Sequence, residues 1–231
     1  SMFNGCSSLT SLDLSSFNTS GVTNMSFMFG GSGITSLNLS NFDMSKVINV
    51  NNMLNGLDSP LEVITPKVYP ANAIDLEKIM VDTNGNKYTK IDTNIPVNTT
   101  LHTTTILMEF GKFNSKIKQI AGNTDADSTT IDKNINKIRR ERNVNNIPSE
   151  VIGNSNNIVS MSYSYYPVYV WYIDGVIYYY SEDSIIFFAG YSSYMFNGLS
   201  KVVEIDLSGF DTSNARYMSY VFAGCSSLTS L

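Results

Sequence analysis

The chain has 231 residues, a formal net charge of -5 and only 15% charged residues. That acidic balance excludes a nucleic-acid binder driven by phosphate contacts, which needs a basic face. No apolar run reaches the roughly 20 residues that cross a bilayer as a helix, and Ser1-Met2 is no signal peptide, so any export signal or anchor is expected outside this segment.

The first element is a repeat. Residues 2 to 28 read MFNGCSSLTSLDLSSFNTSGVTNMSFM, and the pattern restarts at Met28-Phe29 and runs through Ile34, Leu37, Leu39, Phe42, Val47 and Val50 to Met53. A third copy begins at Met53-Leu54 and decays. Far downstream the pattern returns at Met195-Phe196 with Val202, Ile205, Leu207, Phe210, Ala215 and Met218, then again at Val221-Phe222. Self-similarity at this period marks a solenoid. Leu12 and Leu14, two apart, share one face of an extended segment while Asp13 points away. Ser20, Ser45 and Ser213 stand where a serine can cap a short helical turn, and the three-residue steps Val22, Met25, Met28 predict an inward stripe on an α or 3₁₀ segment. One coil cannot bury its own apolar edge, so copies must stack into a continuous core.

Residues 58 to 64 leave the repeat through Pro60, and 65 to 107 carry strand signals. Asn84-Gly85 predicts a hairpin that sets Val81 opposite Tyr88 and Asp82 opposite Lys87. The run from Asp82 to Asn86 fails the calcium-loop pattern, with glycine two places early and no Glu at position twelve. From Glu109 to Gly122, Phe110, Phe113, Ile117 and Ile120 follow helical spacing and Gly122 suits a C-cap. Residues 131 to 144 fit helix, loop or strand. Their basic run, Lys137 to Arg142 with Glu141 inside it, reads as a solvated face.

Asp174-Gly175 predicts a tight hairpin pairing Tyr172 with Ile177, Trp171 with Tyr178, Val170 with Tyr179 and Tyr169 with Tyr180. Alternation puts Val168, Val170, Tyr172, Ile177 and Tyr179 on a core face and Tyr169, Trp171, Tyr178 and Tyr180 on the other. This second face either packs on a neighbouring segment or stays open as a stacking surface for sugar rings. Residues 184 to 188 read as a strand leading into the second array.

Both ends of the chain fall inside a repeat, Leu231 being the equivalent of Leu12, so the segment is expected to be an excerpt of a tandem protein or to stack end to end. The two cysteines, Cys6 and Cys225, occupy one repeat position and are expected to fill buried gaps without bridging. Catalytic chemistry finds little support. His102 is the one histidine, expected at the surface in a Thr-rich stretch, so no histidine-based metal cluster or triad assembles. Asp13 and Asp206 sit at outward strand positions, and no glycine-rich phosphate loop is present. No enzyme, cofactor or metal is expected.

The unit MFxxCxSLTSLDLSxFxTSxVxxM resembles the 26-residue bacterial surface protein repeat, a BspA-like branch of the leucine-rich repeats. The likeness covers residues 2 to 57 and 195 to 231, with Cys6 and Cys225, Leu9 and Leu228, and Ser20 and Ser213 in equivalent places. TPKVYPANAIDLEKIMVDTNGNKYTKI resembles a segment that closes an array. YPVYVWYIDGVIYYYS with SSYMF resembles one that introduces an array. Phe17 stands where the common leucine-rich pattern has Asn or Cys, so an asparagine ladder is not implied. The resemblance favours strand within 131 to 144, and implies an exported, non-catalytic protein binding host or neighbour-cell ligands.

Together these readings predict a mainly β chain with short helical turns, in which leucine-rich-repeat-like solenoid segments flank a β-rich, α+β connecting region. The expected divisions are an array at 1–64, a β-hairpin segment closing it at 65–107, an α+β connecting segment with the aromatic hairpin at 108–194, and an incomplete second array at 195–231. Two functions follow. One is a surface adhesin whose ligand, a host or neighbour-cell protein or glycan, contacts Thr10, Asp13, Thr35, Asn38, Glu204 and Asp206, or the aromatic face Tyr169, Trp171, Tyr178 and Tyr180. The other is a fibre or stalk subunit that self-associates end to end through Leu9, Leu12, Leu228 and Leu231.

Overall fold

The computed structural model describes residues 1–57, 61–109 and 111–231. They form two compact units, Ser1–Thr104 and Thr105–Leu231, and the chain is mainly β. Pro60 and Phe110, assigned above to the repeat exit and the helix, lie outside the described residues.

In the first unit each coil of the repeat leaves backbone N–H and C=O groups that it cannot pair within itself, and buried groups of this kind must find partners. The neighbouring coil supplies them. Phe3 N–H donates to the Met28 carbonyl at 2.8 Å, Met25 to Asn49 at 2.8 Å, Phe29 to Met53 at 3.0 Å and Gly31 to Asn55 at 2.8 Å. Parallel bridges join Asn24 to Asn49 and Asp43 to Val68. β1 (Ser36–Asn38) lies parallel to β2 (Glu62–Ile64), with Leu37 opposite Val63. Side chains follow the backbone: the rings of Phe3 and Phe29 stack 5.8 Å apart, and Leu14, Met25, Phe29, Leu37, Phe42, Val47 and Met53 join one buried cluster.

The corners of the coil are Asx turns. Side-chain oxygens of Asp13, Asn18, Asn24, Asn38, Asp43 and Asn49 each accept from the backbone N–H two residues on, at 2.9 to 3.1 Å. This corrects the expected serine caps, because Ser20, Ser45 and Ser213 offer their N–H to Asn18, Asp43 and Asp211. The stripe of Val22, Met25 and Met28 does turn inward, but on turns and a bridge, since the Met25 N–H is spent on the next coil.

Beyond β2 the sheet reverses direction. β3 (Ile74–Asp82), β4 (Lys87–Ile91) and β5 (Thr100–Thr103) complete the order β1-β2-β5-β3-β4, with β5 antiparallel to both β2 and β3. A central strand buries what it carries. His102, expected at the surface, is 4% exposed, with Nδ1 3.0 Å from the Thr103 carbonyl oxygen. β3 also meets the last coil: the Glu77 carboxylate accepts from Gly56 N–H at 2.9 Å and from the Asn55 side-chain amide, while Lys78 Nζ donates to the Leu57 carbonyl at 2.7 Å. A Glu-Lys pair thus supplies the acceptor and the donor that a further coil would provide. The Asn84-Gly85 hairpin forms one residue off its expected register, pairing Val81 with Lys87 and Met80 with Tyr88. Asp82 sets that register, because its carboxylate accepts from the N–H groups of Asn84 and Asn86 and from the Tyr88 hydroxyl. Gly85 alone of the loop takes a left-handed φ, 83°.

The second unit opens with β6 (Thr105–Ile106) and α1 (Lys112–Ile120), shorter than the expected helix because Gly111 enters at φ 70°. Its far end is a Schellman close, with Gly122 N–H to Gln119 and Asn123 N–H to Lys118, each at 3.0 Å. β7 (Lys137–Arg140), the strand within the ambiguous 131–144 stretch, lies between partners. The four-stranded order is β11-β7-β9-β8, using β8 (Tyr169–Ile173), β9 (Val176–Tyr180) and β11 (Glu204–Ile205). The β8-β9 hairpin has the expected register throughout. β10 (Ile186–Phe187) sits between β6 and β12 (Phe210–Asp211), all parallel. Here the first coil is met from the other side. Asn114 Nδ2, fully buried, donates to the carbonyls of Met195 and Asn197 at 3.3 and 3.0 Å. Asp132 exchanges backbone bonds with Gly198 and Ser200. Cys6 is exposed, which corrects its expected role as a buried filler, and Cys225 is half-buried with Sγ 3.0 Å from the Phe196 carbonyl oxygen; both are free.

Two outcomes follow. Leu14→Ala should cost about 2 to 5 kcal/mol, as buried leucine truncations do, whereas Asp13→Ala should cost much less; the half-buried Leu207 should fall between them in the same denaturant titration. Lys118, fully buried, donates Nζ to the carbonyls of Thr130 at 2.6 Å and Asp127 at 3.3 Å. Burial pushes its pKa down to about 8, against the raising influence of Asp132 and Asp127. The unfolded chain therefore binds more protons than the folded one between about pH 8 and the ordinary lysine value of about 10.4, and this group makes stability rise with pH there. Thermal melts of wild type minus Lys118→Met across that window should show the rise; a flat difference would contradict it.

Candidate functional site

The outward positions of the first unit are Thr10, Asp13, Thr35 and Asn38, all exposed. Their freedom differs. Thr35 N–H reaches the Thr10 carbonyl at 3.3 Å, which uses backbone and leaves both hydroxyls outward-facing chemistry. Asp13 and Asn38 hold corners through Ser15 and Ser40, and the bond from Ser15 N–H lowers the Asp13 carboxyl below its ordinary value. Asn41 adds a link that sequence reading did not anticipate. Its Nδ2 donates to the Leu14 and Phe17 carbonyls of the preceding coil at 2.9 and 3.3 Å, one position before Phe42.

Glu204 and Asp206 belong to the second unit, so the six outward candidates divide between two units. Glu204 is half-buried and neutralised: Lys137 Nζ lies 3.1 Å away and Arg139 Nη2 3.2 Å, and bonds from Lys137 and then Arg139 hold its carboxyl below the ordinary value. β7 places both cations beside β11, which explains the basic run as a partner for the coil edge. Asp206 accepts from Ser208 N–H at 2.9 Å and Arg140 N–H at 3.4 Å. Arg140 itself donates to the Asp183 carbonyl at 2.9 Å, and its guanidinium lies against Gly209, which stands where other copies carry Asn41 and Ser16.

The aromatic hairpin face is occupied from within. Trp171 is 5% exposed, stacked 5.5 Å from Tyr178 and packed with Ile147 and Val151; Tyr169, Tyr178 and Tyr180 border this cluster half-buried. The loop over it is held down, with Asn157 Nδ2 donating to Val170 O at 2.7 Å and Gly153 N–H to the Tyr169 hydroxyl at 3.3 Å. Of the two readings of this face, packing on a neighbouring segment is the one found at Trp171, where Ile147 and Val151 occupy the surface that a sugar ring would need. Of the self-association candidates, Leu9, Leu12 and Leu228 are half-buried against their own cores, and Leu231 is 65% exposed.

An exposed aromatic surface does exist, elsewhere. Tyr191 stacks on Tyr217 at 4.7 Å and Tyr194 on Tyr220 at 5.1 Å, forming two rows across adjacent coils of the second unit. Tyr191, Tyr217 and Tyr220 are 44%, 53% and 62% exposed. Its signal in the sequence is two tyrosine pairs, each separated by one repeat length and lying outside the inward-facing positions that the period marks. Among the described residues, no group of three His, Cys, Asp or Glu side chains is placed to hold a metal ion, and no helix is long and apolar enough to cross a membrane.

Comparison with known proteins locates the likeness in the coils. The family described as "Mycoplasma protein of unknown function, DUF285" matches residues 1–65 and 190–230, just under half of the chain. No curated protein and no solved structure matches. The two matched segments are the parts that carry the repeat, and they are similar to this family in both units.

Proposed function

We propose that the chain is part of a non-enzymatic, BspA-like leucine-rich-repeat protein of the bacterial cell surface, acting outside the cell in adhesion or ligand binding. The observation that carries this reading is the coil-on-coil pairing, which spends backbone on stacking and turns a short polar segment of each coil outward. Thr10, Asp13, Thr35 and Asn38 offer hydroxyl, carboxylate and amide groups on adjacent coils, and binding on such an extended face is the usual use of a stacked-repeat surface. The similarity of both repeat segments to one Mycoplasma family supports treating them as a shared module.

A second reading is a fibre or stalk subunit joined by repeat stacking. It draws on the recurrence of one contact in both units, Phe3 on Phe29 at 5.8 Å and Phe196 on Phe222 at 5.5 Å, which coils of separate molecules can also make.

Capture of the purified protein on immobilised host matrix proteins and cell-surface glycans tests the first reading. We expect binding that falls at least tenfold in a Thr10→Lys/Thr35→Lys variant with unchanged melting temperature. Absence of capture on every surface, together with concentration-dependent filaments in electron micrographs, would replace adhesion with the structural role.

A further inference from the structure

We propose that the tyrosine rows of the second unit dock a neutral, extended polysaccharide. This deepens the adhesion reading and rests on it. The rows lie in the segments 188–200 and 214–227, which bring Tyr191, Tyr194, Tyr217 and Tyr220 into two lines across adjacent coils. Recognition groups that recur once per coil suit a ligand that itself recurs, and the rise of a sugar along an extended glycan is comparable with the spacing of neighbouring coils. Tyr191 keeps 44% of its surface open even with Tyr217 stacked on it, so a ring within the row stays accessible.

Charge selects the class of glycan. The two segments contain a single charged residue, Arg216, among serines, asparagines and small residues. Rings, hydroxyls and amides match the carbon-hydrogen faces and hydroxyls of a neutral sugar, since tyrosine offers an apolar body with a polar tip. An anionic glycan would call for a cluster of cations that these segments lack.

Backbone conformation adds an independent reason. Tyr194 and Tyr220 hold left-handed φ values of 65° and 60°, and the same position of the first unit is taken by Phe27 at 52° and Asn52 at 54°. Asparagine enters this region more readily than an aromatic does, and Asn52 shows that the coil accepts it. Both copies in the second unit carry tyrosine, whereas the first unit pairs Phe27 with Asn52 and so has no continuous aromatic row with polar tips there. The neighbouring row departs in the same direction, with Asn24 and Asn49 in the first unit against Tyr191 and Tyr217 in the second.

Affinity electrophoresis of the whole 231-residue chain through gels holding mixed-linkage β-glucan, xyloglucan, galactomannan or dextran tests the inference, with heparin and pectin as anionic contrasts. We expect at least one neutral polymer to retard the wild type at low and high salt. Retardation should weaken at least tenfold in Tyr191→Ala/Tyr217→Ala or Tyr194→Ala/Tyr220→Ala, with the melting temperature held. Retardation by no neutral polymer, by the anionic ones alone, or equally in wild type and both variants would overturn it. Retardation by no neutral polymer, while capture on an immobilised matrix protein persists in wild type and both tyrosine variants, would leave adhesion standing and remove the polysaccharide site.

Discussion

The constraint on which everything else depends is that a coil of this repeat cannot satisfy its own backbone. An α-helix pairs its peptide groups internally; these extended coils and corners leave theirs for a neighbour. The bonds from Met25, Phe29 and Gly31 to carbonyls in the next copy are therefore what makes a repeat length obligatory. The same constraint explains the segments that are not repeats. In the first unit β3 brings Glu77 and Lys78 to the last coil as an acceptor and a donor, and in the second Asn114 and Asp132 serve the carbonyls and amides of the first coil. Glu77, Lys78 and Asn114 do this with polar side chains and Asp132 with its backbone, because a ladder edge otherwise carries unpaired groups.

Residues whose role is set by period were legible from sequence. Leu14, Leu37, Leu39, Phe42 and Val47 are buried as their spacing demands, and the β8-β9 hairpin has its expected pairs because Asp174-Gly175 allows few turn geometries. Residues whose role is set by a distant partner were not. His102 looks exposed in a threonine-rich stretch, and becomes buried only because β5 enters the sheet between strands that lie far from it in sequence. The register at Asn84-Gly85 hinged on Asp82 accepting from four donors, a local competition that the turn dipeptide does not reveal. At the corners, short polar side chains capping their own backbone replaced the helical turn that the three-residue stripe suggested.

The candidate surfaces divide along the same line. Outward positions on the coils were readable by alternation, although Glu204 proved to be paired with Lys137 and Arg139, a contact between segments that sequence leaves separate. The second face of the aromatic hairpin read as either packed or open to sugar rings, and the distant residues Ile147 and Val151, which pack on Trp171, decide for packing there. The tyrosines that remain open owe their position to the repeat itself, since each pair is one coil apart and stacks as the backbone does. Structure and candidate function thus share one origin: the coil spacing that pairs the backbone also arrays the exposed rings and hydroxyls.

Residue-resolved hydrogen exchange on the purified chain tests the coil-pairing account most directly. The amides of Met25, Phe29, Gly31 and Leu39, which donate to the next coil, and of Phe196 and Gly198 in the second unit should exchange as slowly as those of the β8-β9 hairpin. Protection confined to β3, β4, β5, β8 and β9, with these coil amides exchanging at the rate of an unfolded chain, would contradict it.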